Sequence, residues 1–280
     1  MKGKRVLITG GNNGIGKATA IGLARRNAEV IIACRNETKG KVAVKEIKKA
    51  AKNENVSLLI CDLSSFKSIQ KCADDFKSKY DSLDVLVNNA GLINDTPAVT
   101  KEGFEWQFGI NHLGHFYLTH LLMKNILATR TPRIVNVSSI AHYTGKIDFD
   151  TLEGMQEDYS SMHFYAQSKL ANILFTKSLA KKYPKILANC LHPGVVGTDI
   201  GNDNLAWYFR SLWKLAKPFL MSPEEGASTS VYLASSPLVE VSGKYFEKAQ
   251  EKRPSELAEN EALAEKLWSY SEEMIEKYKV

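Results

Sequence analysis

Residues 164–170 read FYAQSKL, so Tyr165 and Lys169 stand four apart in a segment with a helical pattern. Positions i and i+4 share one helix face, with Cβ atoms roughly 5–6 Å apart. A lysine cation at that range can pull a phenol's pKa down from about 10 toward neutrality. Such a pair could give a proton to a carbonyl oxygen or take one from a hydroxyl. The spacing alone decides nothing, since one Tyr-x-x-x-Lys among 11 tyrosines in a lysine-rich chain is unsurprising by chance. A second stretch bears on chemistry: Thr9-Gly-Gly-Asn-Asn-Gly-Ile-Gly16 follows a strand-like run and leads into KATAIGLARR. Gly10, Gly14 and Gly16 would let the backbone approach a pyrophosphate and aim helix N-terminal N–H groups at it.

These residues need elements to hold them. RVLIT (5–9), EVIIAC (29–34), VSLLIC (56–61), DVLVNN (84–89), RIVNVS (133–138) and ILANCLH (186–192) read as strands, with GKYF (243–246) as a last one. Several are apolar nearly throughout, as strands covered on both faces must be. Helical patterns lie between them, and that alternation argues for one doubly wound α/β domain with a parallel sheet and right-handed crossovers. Two segments break the rhythm, residues 140–160 and residues 198–221. After them SPEEG opens a helix, with Ser222 as cap, Pro223 in the first turn and Glu225 three beyond the cap. A polar helix is expected at the C-terminus.

Composition sets the bounds. A chain of 280 residues with 44% hydrophobic and 24% charged side chains can build a sizeable core under a soluble surface. The net charge of +6 is spread out, and no nucleic-acid motif accompanies it. Cys34, Cys61, Cys72 and Cys190 form no C-x-x-C, and three of them sit in apolar runs, which points to buried thiols in a reducing compartment. MKGKRVLITGG enters a strand almost at once, and no apolar run reaches 18 residues. The expectation is a cytoplasmic chain without signal peptide or transmembrane segment. His112 and His115 are three apart, but no third ligand is patterned beside them, so packing histidines are expected and no metal. His142 and His163 are placed at the mouth of the site, with no required role.

The Gly-x-x-x-Gly-x-Gly spacing, with CDL (61–63), NNAG (88–91), VSS (137–139), YAQSK (165–169) and HPGVVGT (192–198) in that order, resembles the short-chain dehydrogenase/reductase family from about residue 3 to about residue 246. The resemblance implies a Rossmann-type sheet of order 3-2-1-4-5-6-7 with helices on both faces, spanning 1–280 as one domain. It implies a cofactor turn using Gly10, Asn12, Asn13, Gly14, Ile15 and Gly16. Asp62 and Leu63 would lie at the adenine, and Asn89, Ala90 and Gly91 along the cleft. Pro193, Gly194, Val196 and Thr198 would line the nicotinamide side, with His192 in the same loop. Asn111, Ser139, Tyr165 and Lys169 fall at the four catalytic positions. There Tyr165 exchanges the proton, Lys169 stabilises the phenolate and holds the ribose, and Ser139 bonds the substrate oxygen. Asn111 anchors a water, and Ser138 is the bland neighbour. The second strand ends Ala33-Cys34-Arg35 without a carboxylate, and Arg35, with Lys39 four residues on, suits a 2′-phosphate; NADP(H) is expected over NAD(H).

Within that family, RIVNVSSIAH, NHLGHFYLTHLL, ACRNETKGK and the long Ser139-to-Tyr165 connection look most like the retinol dehydrogenases. That implies a small lipophilic carbonyl or alcohol, of retinal/retinol or long-chain aldehyde type. In 205–221, positions 205, 208, 209, 212, 213, 216 and 220 form an apolar helical stripe, while Arg210, Lys214 and Lys217 lie off it. A core helix accounts for the stripe. Trp207 and the all-positive charge favour a lid over the substrate, with peripheral membrane contact. Homo-oligomerisation is left open. Two other readings stand beside this one: a relative of the light-driven reductases of a tetrapyrrole double bond, and a non-catalytic NADP(H)-sensing protein. The second has no need of the four catalytic positions together.

Overall fold

A computed structural model describes residues 1–194 and 221–278. Eight strands form one sheet in the order β3-β2-β1-β4-β5-β6-β7-β8. β1 (Arg5–Thr9), β2 (Glu29–Cys34), β3 (Val56–Ile60), β4 (Val85–Asn88), β5 (Arg133–Val137), β6 (Leu187–His192) and β7 (Tyr245–Glu247) run parallel. Side chains alternate across the sheet, and both faces are apolar. Val6, Ile8, Val30, Ile32, Val85 and Val87 pack under helices α1 (Gly14–Ala24) and α2 (Glu37–Ala51). Leu7, Ile31 and Leu86 meet α3 (Phe66–Lys77), α4 (Gly114–Leu127) and α5 (Ser161–Lys182). α6 (Pro223–Ser235) joins the first layer through Val231 and Leu233. α7 (Glu261–Lys277) joins the second, where Trp268 packs on Phe116 and Phe175. Ser222 and Glu225 make the expected reciprocal cap of α6.

The sheet has one strand more than the sequence suggests. β8 (Gln250–Lys252) pairs antiparallel with β7 across a turn at Lys248 and Ala249. β8, QEK, is wholly polar because it is an exposed edge, where charge discourages pairing with another chain. Both turn residues have positive φ, 50° and 58°, as a two-residue hairpin demands. Alanine tolerates that region poorly, so Ala249→Gly is expected to stabilise the protein by about 1 kcal/mol. Thermal unfolding checks this, with a rise of roughly 2–4 °C in Tm expected. The bond from the Ala249 amide to Thr229 Oγ1, 3.0 Å, needs no side chain and survives.

All four cysteines are free and buried. Among the described residues no helix is long and apolar enough to cross a membrane.

Candidate active site

The parallel strands end together along one edge, and the candidate residues gather there. Thr9 closes β1, and its Oγ1 accepts the amides of Asn89 and Ala90, both at 3.0 Å. Asn89 Nδ2 returns a bond to Thr9 O at 2.8 Å. The glycine turn is thereby knitted to the NNAG segment. Gly10 takes φ +66°, and any side chain at Gly16 would collide with the Gly10 carbonyl and Asn89 Nδ2. A turn that tight leaves backbone N–H groups of Gly14, Ile15 and Gly16 at the start of α1, with Asn13 Oδ1 accepting from Gly14 N at 2.8 Å. That is a cradle for phosphate.

At the second strand's end Arg35 is exposed, and Asn36 caps α2 by accepting from Lys39 N at 2.9 Å. Neither Arg35 nor Lys39 joins an ion pair among the described residues, so both cations remain available beside a helix N-terminus. Asp62 Oδ1 accepts from Ser64 N at 3.0 Å and Ser64 Oγ at 2.7 Å, holding the loop after β3. Leu63 is buried beneath it. Pro193 and Gly194 follow β6; Val196, Thr198 and the stripe at 205–220 lie outside the described residues.

Tyr165 and Lys169 share one face of α5, with Nζ 5.4 Å from the phenol ring centre. Lys169 is 3% exposed, and its ammonium donates to Val137 O at 3.3 Å. Asn172 Nδ2 reaches the same carbonyl at 3.1 Å. Ser138 donates to Lys169 O at 2.7 Å and ties α5 to the end of β5. Ser139 Oγ accepts from Ala141 N at 3.2 Å, and its hydroxyl stands near enough to the Tyr165 phenol to ease its ionisation. The NNAG loop touches the same place: a methyl at Gly91 would stand 3.1 Å from Lys169 Nζ and 3.4 Å from Asn111 Oδ1.

The pair's electrostatics differ from the expectation. Burial raises the Tyr165 pKa, and the Ser139 hydroxyl opposes it. The lysine itself is pushed down to about 8 by burial. Desolvation dominates for both groups, because each is shut away from water.

Asn111 sits inside a π turn, Gly109–Leu113, between a single α-helical turn at Trp106–Phe108 and α4. Such bulges re-aim groups at functional sites. Asn111 Oδ1 accepts from Leu92 N at 2.9 Å, and Nδ2 donates to Leu92 O at 2.9 Å and Ser168 Oγ at 3.0 Å. Both amide protons are committed, so a water at Asn111 would donate to the second lone pair of Oδ1 or to the main-chain carbonyl. That carbonyl already accepts from His115 Nδ1 at 3.0 Å, which leaves His115 Nε2 to accept from Thr9 Oγ1 at 2.8 Å. His115 is thus a buried tie between the glycine turn and the Asn111 bulge, neutral with its pKa pushed down to about 4 by burial. His112 packs among Phe108, Phe116 and Phe175, and burial lowers it to about 3. Among the described residues no group of three His, Cys, Asp or Glu side chains could hold a metal.

His163 is exposed, and His192 closes β6 in a buried position. His142 corrects the sequence reading: it is wholly buried and lines no mouth, because its ring turns inward under Ser139. The sequence also missed a polar bar beneath the site. Asn88 Nδ2 donates to Asn136 Oδ1 at 2.8 Å, and Asn136 Nδ2 to Thr176 Oγ1 at 2.9 Å. The asparagines in NNAG and RIVNVS were its visible signal.

A doubly wound sheet with a glycine cradle after its first strand defines a dinucleotide-binding α/β protein. The short chain dehydrogenase profile matches residues 4–208. The chain belongs to the short-chain dehydrogenase family, oxidoreductases that use a nicotinamide cofactor. It is 45% identical to retinol dehydrogenase 12 of Mus musculus, over 98% of this chain and 86% of that one. It is 41% identical to retinol dehydrogenase 13 of Homo sapiens, over 98% and 85%. Among solved structures, an uncharacterized protein of Mycobacterium paratuberculosis aligns with a TM-score of 0.80 at 33% identity, over 98% of this chain and 94% of that one. A Shigella flexneri short-chain dehydrogenase complexed with NADP aligns at 0.70 and 23% identity, over 89% and 98%, a likeness of fold.

Proposed function

We propose that this chain is an NADP(H)-dependent oxidoreductase interconverting a lipophilic aldehyde or ketone with its alcohol, of retinal/retinol or long-chain aldehyde type. The observation that carries the reading is Ser139, Tyr165 and Lys169 brought together at the strand ends, one loop away from the glycine cradle. Gly10, Gly14 and Gly16 would hold the pyrophosphate, Asp62 the adenine side, and Arg35 with Lys39 the 2′-phosphate. Lys169 would also hold the ribose hydroxyls. The bound nicotinamide supplies the hydride for reduction and accepts it in oxidation.

The chain's own residues handle the proton. Tyr165, kept neutral by burial, is a donor poised to protonate the carbonyl oxygen as negative charge develops there. Ser139, whose oxygen accepts from Ala141 N, would turn its hydroxyl proton from the phenol to that same oxygen. The Lys169 cation stabilises the phenolate left behind. In the alcohol direction the same groups act in reverse.

The substrate class draws on the names of the relatives and on an apolar rim. Ile140, next to Ser139, is 53% exposed, and Met162, one helical turn before Tyr165, is 57% exposed. The experiment is a panel of short, aromatic, long-chain and retinoid aldehydes with NADPH and with NADH. Reduction of the lipophilic members with NADPH is expected, and activity confined to short polar aldehydes would refute the substrate class.

Cofactor choice has its own test. Arg35→Asp is expected to reverse the preference toward NAD(H), costing NADP(H) about one to two powers of ten in kcat/KM. The variant replaces a charge-assisted donor with a like charge at the 2′-phosphate. Equal efficiencies with both cofactors in the unmodified protein would remove Arg35 from that role.

A further inference from the structure

We infer that His142 is a positioning residue for Ser139, acting through a hydrogen bond to the serine's own carbonyl. The inference rests on the reading of Ser139 as the group that bonds the substrate oxygen. His142 Nδ1 lies 2.7 Å from Ser139 O, and its Nε2 lies 3.2 Å from Ser255 N. A carbonyl only accepts and an amide only donates, so the two partners set one tautomer: Nδ1 carries the proton and Nε2 is bare. The main-chain amide of His142 reaches the same Ser139 carbonyl at 3.1 Å.

Ser139 is therefore held from two sides. It starts the 3₁₀ turn Ile140–Thr144 in extended backbone, with Oγ accepting inside the turn and C=O fixed by the imidazole outside it. The imidazole has no freedom of its own. Its rings of contact are Tyr143 and Tyr245, with centroids 4.1 and 4.9 Å away. The next residue repeats the grip, since Tyr143 Oη donates to Arg253 O at 2.7 Å. Two consecutive turn residues thus bind Arg253 and Ser255, more than a hundred positions along the chain. The segment after β8 locks the imidazole, and the imidazole locks the serine. A hydroxyl that must meet a developing charge gains from such fixed placement, since small displacements at a reacting centre cost large factors in rate.

A packing histidine would show the same burial, so the test separates the two nitrogens. His142→Asn keeps a donor at the Nδ1 place and gives up Ser255; His142→Gln keeps an acceptor at the Nε2 place and gives up the donor to Ser139. Steady-state reduction of a retinoid or long-chain aldehyde by NADPH is measured for both, with Tm and with KM for cofactor. The expected result is a kcat near that of the unmodified protein for H142N and a loss of about ten-fold or more for H142Q, with cofactor KM unchanged in both. Equal kcat values in the two variants, whether retained or lowered, would overturn the inference, as would the reverse order. If H142Q does not fold, a ten-fold kcat loss in H142N overturns it and a retained kcat supports it. Ser139→Ala is run alongside: normal turnover there would refute the reading of Ser139, and near-zero turnover with equal H142N and H142Q would refute the positioning role alone.

Discussion

Tyr165→Phe is expected to lower turnover by about 10²–10⁴-fold while leaving Tm and dinucleotide affinity nearly unchanged. The substitution removes one oxygen and keeps the ring. The ring is partly buried on α5, whose fold depends on Phe164, Leu170 and Leu174 and not on the phenol. The Ser139 hydroxyl beside the phenol would turn to water or substrate instead. Among the described residues, the neighbouring hydroxyls of Ser138 and Ser168 cannot replace the phenol, being spent on Lys169 O and Tyr165 O. Steady-state kinetics, thermal unfolding and cofactor titration on the same preparation check the result. Turnover within a few-fold of the unmodified protein would move the proton to some other donor.

Lys169→Met should do two things at once. Turnover falls by about 10²–10⁴-fold, because the phenolate formed at Tyr165 loses its counter-charge. Stability rises, on the order of 2 kcal/mol near pH 7, because a buried ammonium without an anionic partner among the described residues gives way to an apolar chain of similar length. The pH dependence follows from linkage. The folded lysine has a pKa of about 8 against an ordinary 10.5, so the unfolded chain binds more protons between those values. The penalty is whole below pH 8 and is relieved as pH climbs toward 10.5. The stability gap between K169M and the unmodified protein should therefore be widest at neutral pH and close in alkali. Thermal unfolding across that range decides it; a destabilised K169M at pH 7 would mean the lysine serves the fold.

Much of this was legible in the residues. β1, β2 and β4 are apolar on both faces, which only a doubly covered parallel sheet requires, and the cap at Ser222 combines three signals in four residues. The glycine turn announced itself because Gly16 admits no Cβ. What stayed hidden depends on distant or context-bound physics. GINHLG reads as ordinary helix, and nothing local marks the π turn that turns Asn111 toward Leu92 and Ser168. His115 and His142 take their partners 106 and 113 positions away, so no spacing rule reaches them. β8 lacks a buried face and therefore an apolar pattern. The rise of the Tyr165 pKa by burial was not legible either, because i,i+4 spacing gives proximity without depth.

In the proposed reaction hydride passes from NADPH to a lipophilic carbonyl while Tyr165 supplies the proton. The direct test incubates the purified chain with retinal and NADPH carrying deuterium at the transferable position, and reads the product by mass spectrometry. Retinol with one deuterium on the new alcohol carbon is expected, formed much faster than with deuterated NADH and almost absent in Tyr165→Phe. Cofactor binding without deuterium transfer to retinal or to any long-chain or aromatic aldehyde would contradict it.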